Sequence, residues 1–386
     1  MASASPKFLF LLLILCGLLV ATVCAEDWEL QFVQVLHRHG DRTPLSPLTP
    51  YGDEWICLST EITQSDVVPD GPVGSRRFRS HYMHGVEALA GNCSLGQLTD
   101  LGMSEIAAMA ARVKERYADF LPSSYSDETV YIRSDSIDRC QQSSHVFIDT
   151  LWPNGSDIVE IEMREAATEN LGANPYLCPM VSNYSAAVTS SEEYQQLLGT
   201  LSNVKEFFQD LYHNHDKSFP NWLDLNDNIV CRIAHNKSLP PNMTEALTNE
   251  LLTTWRELFR MINGDPDYAK AAIGQVFNEI MTRIEEKIAG NLGNLLFVEV
   301  SGHDTTIWPI IASLQFGNWK EWPPYASELT WELHYSHSLN LWAVRMHYNG
   351  EMVTLNGCTE YCPWDEYALQ VDRLRLRSLD GGFCQG

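Results

Sequence analysis

The chain has 386 residues, 45% of them hydrophobic, and its 50 Asp and Glu against 26 Lys and Arg give a formal net charge of −24. That balance argues against a nucleic-acid partner, which requires a basic footprint. It also makes any cluster of arginines locally exceptional.

The first 25 residues read as a processing segment. Lys7 precedes an apolar run over residues 8–20, and Val23, Cys24 and Ala25 follow. A charged start, a short apolar core and small residues at a cleavage site make a secretory signal peptide. Cleavage is expected after Ala25. The run is short for a bilayer span, which takes about 20 residues, and no later stretch is long and apolar enough for one. Residues 372–386 are polar and Arg-rich, unlike the apolar tail of a GPI signal. The expected product is soluble, and either secreted or sent to an acidic vesicle.

Residues 30–36 form an apolar run that reads as a buried strand. Arg38-His39-Gly40-Asp41-Arg42-Thr43-Pro44 follows, where Gly40 and Pro44 turn the strand into a loop. Two guanidinium groups there flank one imidazole. Arg offers a fixed cation with a donor fork that matches phosphate oxygens. Neighbouring cations disfavour imidazolium, so His39 should be neutral, and a neutral imidazole is a nucleophile. His37 and His39 could also be read as two metal ligands, but the Arg neighbours oppose a dication. His213 and His215 read as decoration at the end of a helical stripe.

Residues 45–97 are weakly periodic, with Pro, Gly and Ser throughout. They read as a long cap-like insertion that either shapes substrate choice or is surface without a role. Thr99 or Asp100 should cap a helix whose apolar face is Met103, Ile106, Ala110, Val113 and Tyr117. A strand over 129–132 ends at Arg133, and a helix opens within Ser134-Asp135-Ser136-Ile137-Asp138-Arg139 and stops at Trp152-Pro153. Residues 157–163 alternate as a further strand. From 172 to 290 the pattern turns helical. One stripe runs through Tyr194, Leu201, Val204 and Phe208, a second through Leu251, Trp255 and Leu258 to Gly264, a third through Ile273, Val276, Ile280 and Ile284 to Gly290. An apolar strand over 295–300 then leads into Ser301-Gly302-His303-Asp304-Thr305-Thr306 and another helix. Residues 329–335 and 341–348 should pair as an antiparallel edge.

This order predicts an α/β fold: a mostly parallel central sheet with helices on both faces, formed by residues 26–171 and 291–386, plus an inserted, mainly helical cap subdomain over 172–290. Three charged stretches, at Arg38–Arg42, at Arg133 and at His303-Asp304, each follow an apolar strand. Ligands of open α/β sheets bind beyond the carboxyl ends of the strands, so one rule of folding would gather all three.

Arg38-His39-Gly40-x-Arg42-x-Pro44, with the Tyr131–Arg139 and Ser301–Thr306 segments, resembles the motifs of the histidine acid phosphatases, within the phosphoglycerate-mutase-like superfamily. The resemblance spans essentially the whole chain beyond the signal segment. It implies that His39 becomes a phosphohistidine and that Arg38, Arg42, Arg133 and His303 bind the phosphoryl group. It also implies that Asp304 is the general acid and that Gly40 leaves room for the phosphate. No metal or other cofactor is called for, and relatives often form dimers. The substrate would be a small-molecule phosphomonoester. A phytase or a phosphatase of lipid or sugar phosphates is a narrower version, a phosphate-ester binding module the non-enzyme alternative, and a cytoplasmic mutase is disfavoured by the secretory features.

Eight cysteines lie beyond the signal segment, at 57, 93, 140, 178, 231, 358, 362 and 384. An even count in a secreted chain predicts disulfides. The resemblance implies Cys358–Cys362 and Cys178–Cys384. Its third bridge would join Cys231 to a position that here is Glu328, which leaves Cys140 as the expected partner of Cys231 and pairs Cys57 with Cys93. Asn92, Asn154, Asn183, Asn236 and Asn242 begin N-x-S/T sequons, which mark expected glycan-bearing surface.

Overall fold

The structure is a computed structural model. It describes residues 27–48, 53–57, 62–64, 77–78, 89–153, 158–214, 218–378 and 382–385. The signal segment, most of the 45–97 insertion, the Asn154 sequon and His215 lie outside the described residues.

The strands are β1 (Trp28–Arg38), β2 (Ile62–Gln64), β3 (Arg77–Phe78), β4 (Val130–Ser134), β5 (Phe297–Gly302), β6 (Glu328–Ser336), β7 (Leu341–Tyr348), β8 (Glu351–Val353) and β9 (Cys362–Pro363). The helices are α1 (Asp100–Arg116), α2 (Asp138–Leu151), α3 (Met180–Thr189), α4 (Glu192–Gly199), α5 (Ser202–His213), α6 (Trp222–Ala234), α7 (Glu245–Asn263), α8 (Pro266–Ile288), α9 (Asp304–Leu314) and α10 (Trp364–Val371). The central sheet runs β4-β5-β1-β6-β7-β8, with β9 on β7.

The α/β class is borne out, and the sheet is mixed about β1. On one side β1, β5 and β4 are parallel; on the other, β6 and β7 run antiparallel. The expected hairpin of β6 and β7 forms, but β6 pairs with β1 itself, so the hairpin is interior rather than an edge.

Strand β1 explains its own unbroken apolar run. Val33 and Val35 pack with Ile106, Val113 and Phe147 of α1 and α2. Phe32 and Leu36 point the other way, into a cluster with α8 and α9. A strand covered on both faces loses the polar alternation of a half-exposed one. A register shift between Leu30 and Phe32 turns Leu30 back to the Val33 face. The stripes of α4, α5 and α7 join the same cluster as Phe32, Val298 and Ile307. The helical block and the sheet therefore share one core, with α8 against the sheet through Gln34 Nε2 donating to the Ile280 carbonyl at 2.9 Å.

The expected strand over 157–163 does not form among the described residues. Val159 and Ile161 do pack against the core cluster of α1 and α2 while Ile158 is 83% exposed, but Glu162 makes only a single parallel bridge, to Arg133.

Cys57–Cys93, Cys178–Cys384 and Cys358–Cys362 are bonded as expected. Cys140 and Cys231 are not bonded; both are buried free thiols. Cys140 lies against the His303 ring, whereas Cys231 lies against Arg42 and Tyr325. Glu328 is buried in β6 with the Arg112 guanidinium at 3.3 Å.

Candidate active site

The parallel register lays the three strand ends side by side. Arg38 pairs with Gly302 and Ser134 with Ser301. Beyond those pairs, His39 N donates to the Gly302 carbonyl at 3.0 Å, and Asp135 N donates to that of Ser301 at 3.1 Å. His39, Asp135 and His303 thus leave the sheet at one edge. The first turns of α2 and α9 open at the same edge, where backbone N–H groups favour an anion. A cavity of about 990 Å³ lies there, lined by Arg38, His39, Arg42, Arg139, His303 and Asp304 among others.

The 38–44 loop is fixed by α1. A Cβ on Gly40 would lie 2.2 Å from the Gly102 carbonyl oxygen, and one on Gly102 would lie 2.1 Å from that of Asp41. Gly40 therefore makes room for helix backbone, a different reason from the phosphate clearance expected. Thr99 caps α1 through Gly102 N and also donates to the Asp41 carbonyl.

His39 Nδ1 donates to the Gly40 carbonyl at 2.8 Å, which leaves Nε2 with a free lone pair. Burial pushes its pKa well below the ordinary value, and Arg139, Arg38, His303 and Arg42 push it the same way. The imidazole is neutral, as its Arg neighbours predict, with burial the larger cause.

His37 belongs elsewhere. Its Nε2 meets Glu299 at 2.5 Å and its ring stacks on Phe147. His37 is the last but one residue of β1 and is buried with these partners, whereas His39 lies beyond the strand end in the cavity, so the two rings do not converge on a metal.

Arg38 and Arg42 are held in place yet keep donors. Arg38 Nη1 donates to the Pro323 carbonyl, its Nη2 meets Asp304 at 3.0 Å, and its guanidinium lies 3.8 Å from the Tyr325 ring centroid. Arg42 Nη2 meets Asp227 at 2.7 Å. Arg139 makes no ion pair among the described residues. The Nε–H groups of Arg38, Arg42 and Arg139 are all buried without a hydrogen-bond partner. Burial and Arg42 depress the Arg139 pKa, yet an arginine at this level stays charged.

Arg133 requires a correction. It does not line the cavity. It pairs with Glu279 at 2.7 Å and Glu169 at 2.8 Å, and donates to Asn170 at 2.6 Å. Two carboxylates thus balance its charge away from the cavity. Arg133 pairs in register with Val300, two residues short of the edge that Gly302 marks. The third cavity arginine is Arg139, in the first turn of α2. No local sequence signal marks the offset, because only residues beyond the last ladder pair reach the edge and the register with β5 decides which those are.

His303 Nε2 donates to Asp135 at 3.0 Å. Burial would lower its pKa, but Cys140 and the Asp135 carboxylate outweigh that and raise it to about 9. His303 is thus a cation at acid and neutral pH. Asp304 accepts from Trp322 Nε1 at 2.7 Å as well as from Arg38. Burial would raise its pKa, yet Arg38, Trp322, His303 and Arg42 together hold it below the ordinary carboxylate value. Asp135 and Trp322 were not singled out from sequence; isolated Asp and Trp residues carry no periodic signal.

A family model described as histidine phosphatase superfamily (branch 2) matches residues 29–349. The chain is 31% identical over 363 residues to counting factor 60 of Dictyostelium discoideum, covering 89% of this chain and 85% of that one. It is 27% identical to prostatic acid phosphatase of Homo sapiens, covering 95% and 90%. Among solved structures, the apo form of Hafnia alvei phytase aligns with a TM-score of 0.60 at 18% identity, covering 93% of this chain and 99% of that one.

Proposed function

The chain belongs to branch 2 of the histidine phosphatase superfamily, phosphatases that hydrolyse phosphomonoesters through a phosphohistidine, and on that premise we propose that His39 is the nucleophile and Asp304 the general acid. One observation carries the assignment of the site. Three buried guanidinium Nε–H groups without partners, on Arg38, Arg42 and Arg139, surround a neutral imidazole with a free Nε2. Buried donors are normally matched. Donors left over around a nucleophile are the chemistry of a phosphoryl site.

His39 Nε2 attacks phosphorus in line. As the ester P–O bond breaks, the Asp304 carboxyl gives its proton to the leaving oxygen, which departs as the alcohol. A water then gives a proton to Asp304 and attacks phosphorus. The P–N bond breaks, inorganic phosphate leaves, and both residues are restored. Arg38, Arg42, Arg139 and the His303 cation hold the phosphoryl oxygens. Asp135 fixes the His303 ring.

Asp304 is ionised in the free site by its cationic neighbours. A phosphate dianion offsets those cations and raises the Asp304 pKa, so substrate binding and acid pH both load the proton. Rates should therefore fall as pH rises. Three disulfides and the exposed sequon residues Asn183, Asn236 and Asn242 support passage through an oxidising secretory route. Asn92 fits that role less well, because its amide exchanges hydrogen bonds with the Cys57 backbone.

The test is phosphate release from an aryl phosphate across acid to weakly alkaline pH, with chelator present. Wild type should show an acid optimum. Asp304→Asn should lose that pH dependence together with about 10²–10⁴ of the rate. Equal silence of wild type and His39→Ala would contradict the reading.

A further inference from the structure

The general acid marks where the leaving group goes. Asp304 must reach the ester oxygen, so the first atoms of the alcohol lie on the Asp304 side of the cavity. That side is aromatic. The Trp322 indole N–H bonds Asp304, and its ring stacks on Phe259 with centroids 4.8 Å apart and planes 10° from parallel. Trp308, fully buried, backs both rings, at 5.1 Å from Trp322 and 6.1 Å from Phe259. A ring held at its edge by a hydrogen bond and on one face by stacking offers its other face as a rigid apolar wall. Leu223, Val230 and Leu252 also line the cavity.

The charges around the cavity point the same way. Among the described residues that line it, the arginines are Arg38, Arg42 and Arg139 around His39, and Arg256, which is tied to Glu321. Glu105, Glu169, Asp227 and Glu321 line it too. One phosphoryl group finds its cations there. A second phosphate on the same alcohol would meet carboxylates.

We propose that Trp322 and Phe259 form an apolar leaving-group subsite, and that the chain selects phosphomonoesters of apolar alcohols, aryl or hydrocarbon, over polyphosphorylated ones. This rests on the catalytic reading above. It concerns the alcohol, not the phosphoryl chemistry.

The experiment compares kcat/KM for octyl phosphate against glycerol phosphate, and for naphthyl phosphate against phenyl phosphate, with inositol hexakisphosphate as the polyanion. Wild type should favour the more apolar member of at least one pair by about 10-fold and turn over the polyanion least well. The pair that responds identifies a hydrocarbon or an aryl alcohol. Trp322→Phe keeps the aromatic face and loses the N–H, so it should alter rate and pH profile for every ester while retaining the preference. Trp322→Gln keeps an N–H donor and loses the face, so it should lose most of the preference, as should Phe259→Ala. A wild type that favours the apolar member of neither pair, or that turns over the polyanion as well as the monoesters, would overturn the proposal and leave the phosphatase reading standing. So would a preference that survives Trp322→Gln and Phe259→Ala. No turnover of any ester would contradict the catalytic reading, and this proposal with it.

Discussion

Two clusters of buried charge sit on opposite sides of the sheet's central strand and are built in opposite ways. In the antiparallel half, the Glu332 carboxylate accepts from Tyr117 Oη at 2.7 Å, His334 Nε2 at 2.8 Å and Arg345 Nε at 2.6 Å. At the edge of the parallel half, three arginines face a cavity, each with a buried Nε–H unmatched. A buried carboxylate whose lone pairs are filled by its own chain is a strut. Cations whose donors exceed the acceptors around them are an anion site. Burial alone does not distinguish the two; the accounting of partners does.

The two arginines of the β4–α2 segment test that distinction most sharply. Arg139→Met should lower kcat/KM by about 10²–10³, with a melting temperature unchanged or raised, because an unmatched buried donor and the repulsion from Arg42 both disappear. Arg133→Met should do the reverse. It leaves the buried Glu169 without its cation, while Glu279 keeps Arg164, so stability should fall by about 3 kcal/mol while the folded fraction keeps kcat/KM within a few-fold. Thermal melts beside steady-state kinetics check both. An Arg133 variant that folds normally but cannot turn over substrate would break the comparison.

Glu332 supplies the next effect. Burial raises its pKa, but the bonds from His334 and Arg345 more than offset this and lower it from the ordinary 4.5 to about 2. A depressed carboxylate stabilises the fold fully above the unfolded pKa, and that contribution fades as pH falls from about 4.5 towards 2. Linkage makes it about 3 kcal/mol. Glu332→Gln should therefore lower stability near neutral pH and flatten the acid side of a denaturation-versus-pH curve, with little change in KM.

The smallest effect concerns the free thiols. Alkylation in denaturant without reductant should label Cys140 and Cys231 and leave Cys57, Cys93, Cys178, Cys358, Cys362 and Cys384 disulfide-linked. A Cys140–Cys231 peptide in the map would contradict the structure.

Much of this was legible from sequence where local periodicity and burial agree. The α1 stripe through Ile106, Ala110 and Val113, the unbroken run of β1 and the Thr99 cap each follow from spacing. The strand-end rule correctly brought His39 and His303-Asp304 together. It misplaced the third arginine because Arg133 is still inside the ladder, a matter of parallel register that only the partner strand reveals. The segment over 157–163 alternates like a strand and packs Val159 and Ile161 on the core, but it pairs with β4 through a single bridge only. Cys140 and Cys231 could be paired on paper because sequence separation says nothing about which side of the cavity each thiol occupies. The shelf of Trp322 on Phe259 joins a loop to α7 and has no local signature.

The most direct measurement of the central claim is to trap the phosphoenzyme. Asp304→Asn should be mixed with an aryl phosphate, whose leaving group needs little protonation, and quenched in alkali, where phosphohistidine survives. Peptide mapping should then find phosphate on the imidazole of His39, accumulating because Asp304 is also needed to activate water, and absent when His39→Ala is added. Phosphate on another residue, or turnover that persists in His39→Ala, would contradict the assignment of His39 as the nucleophile.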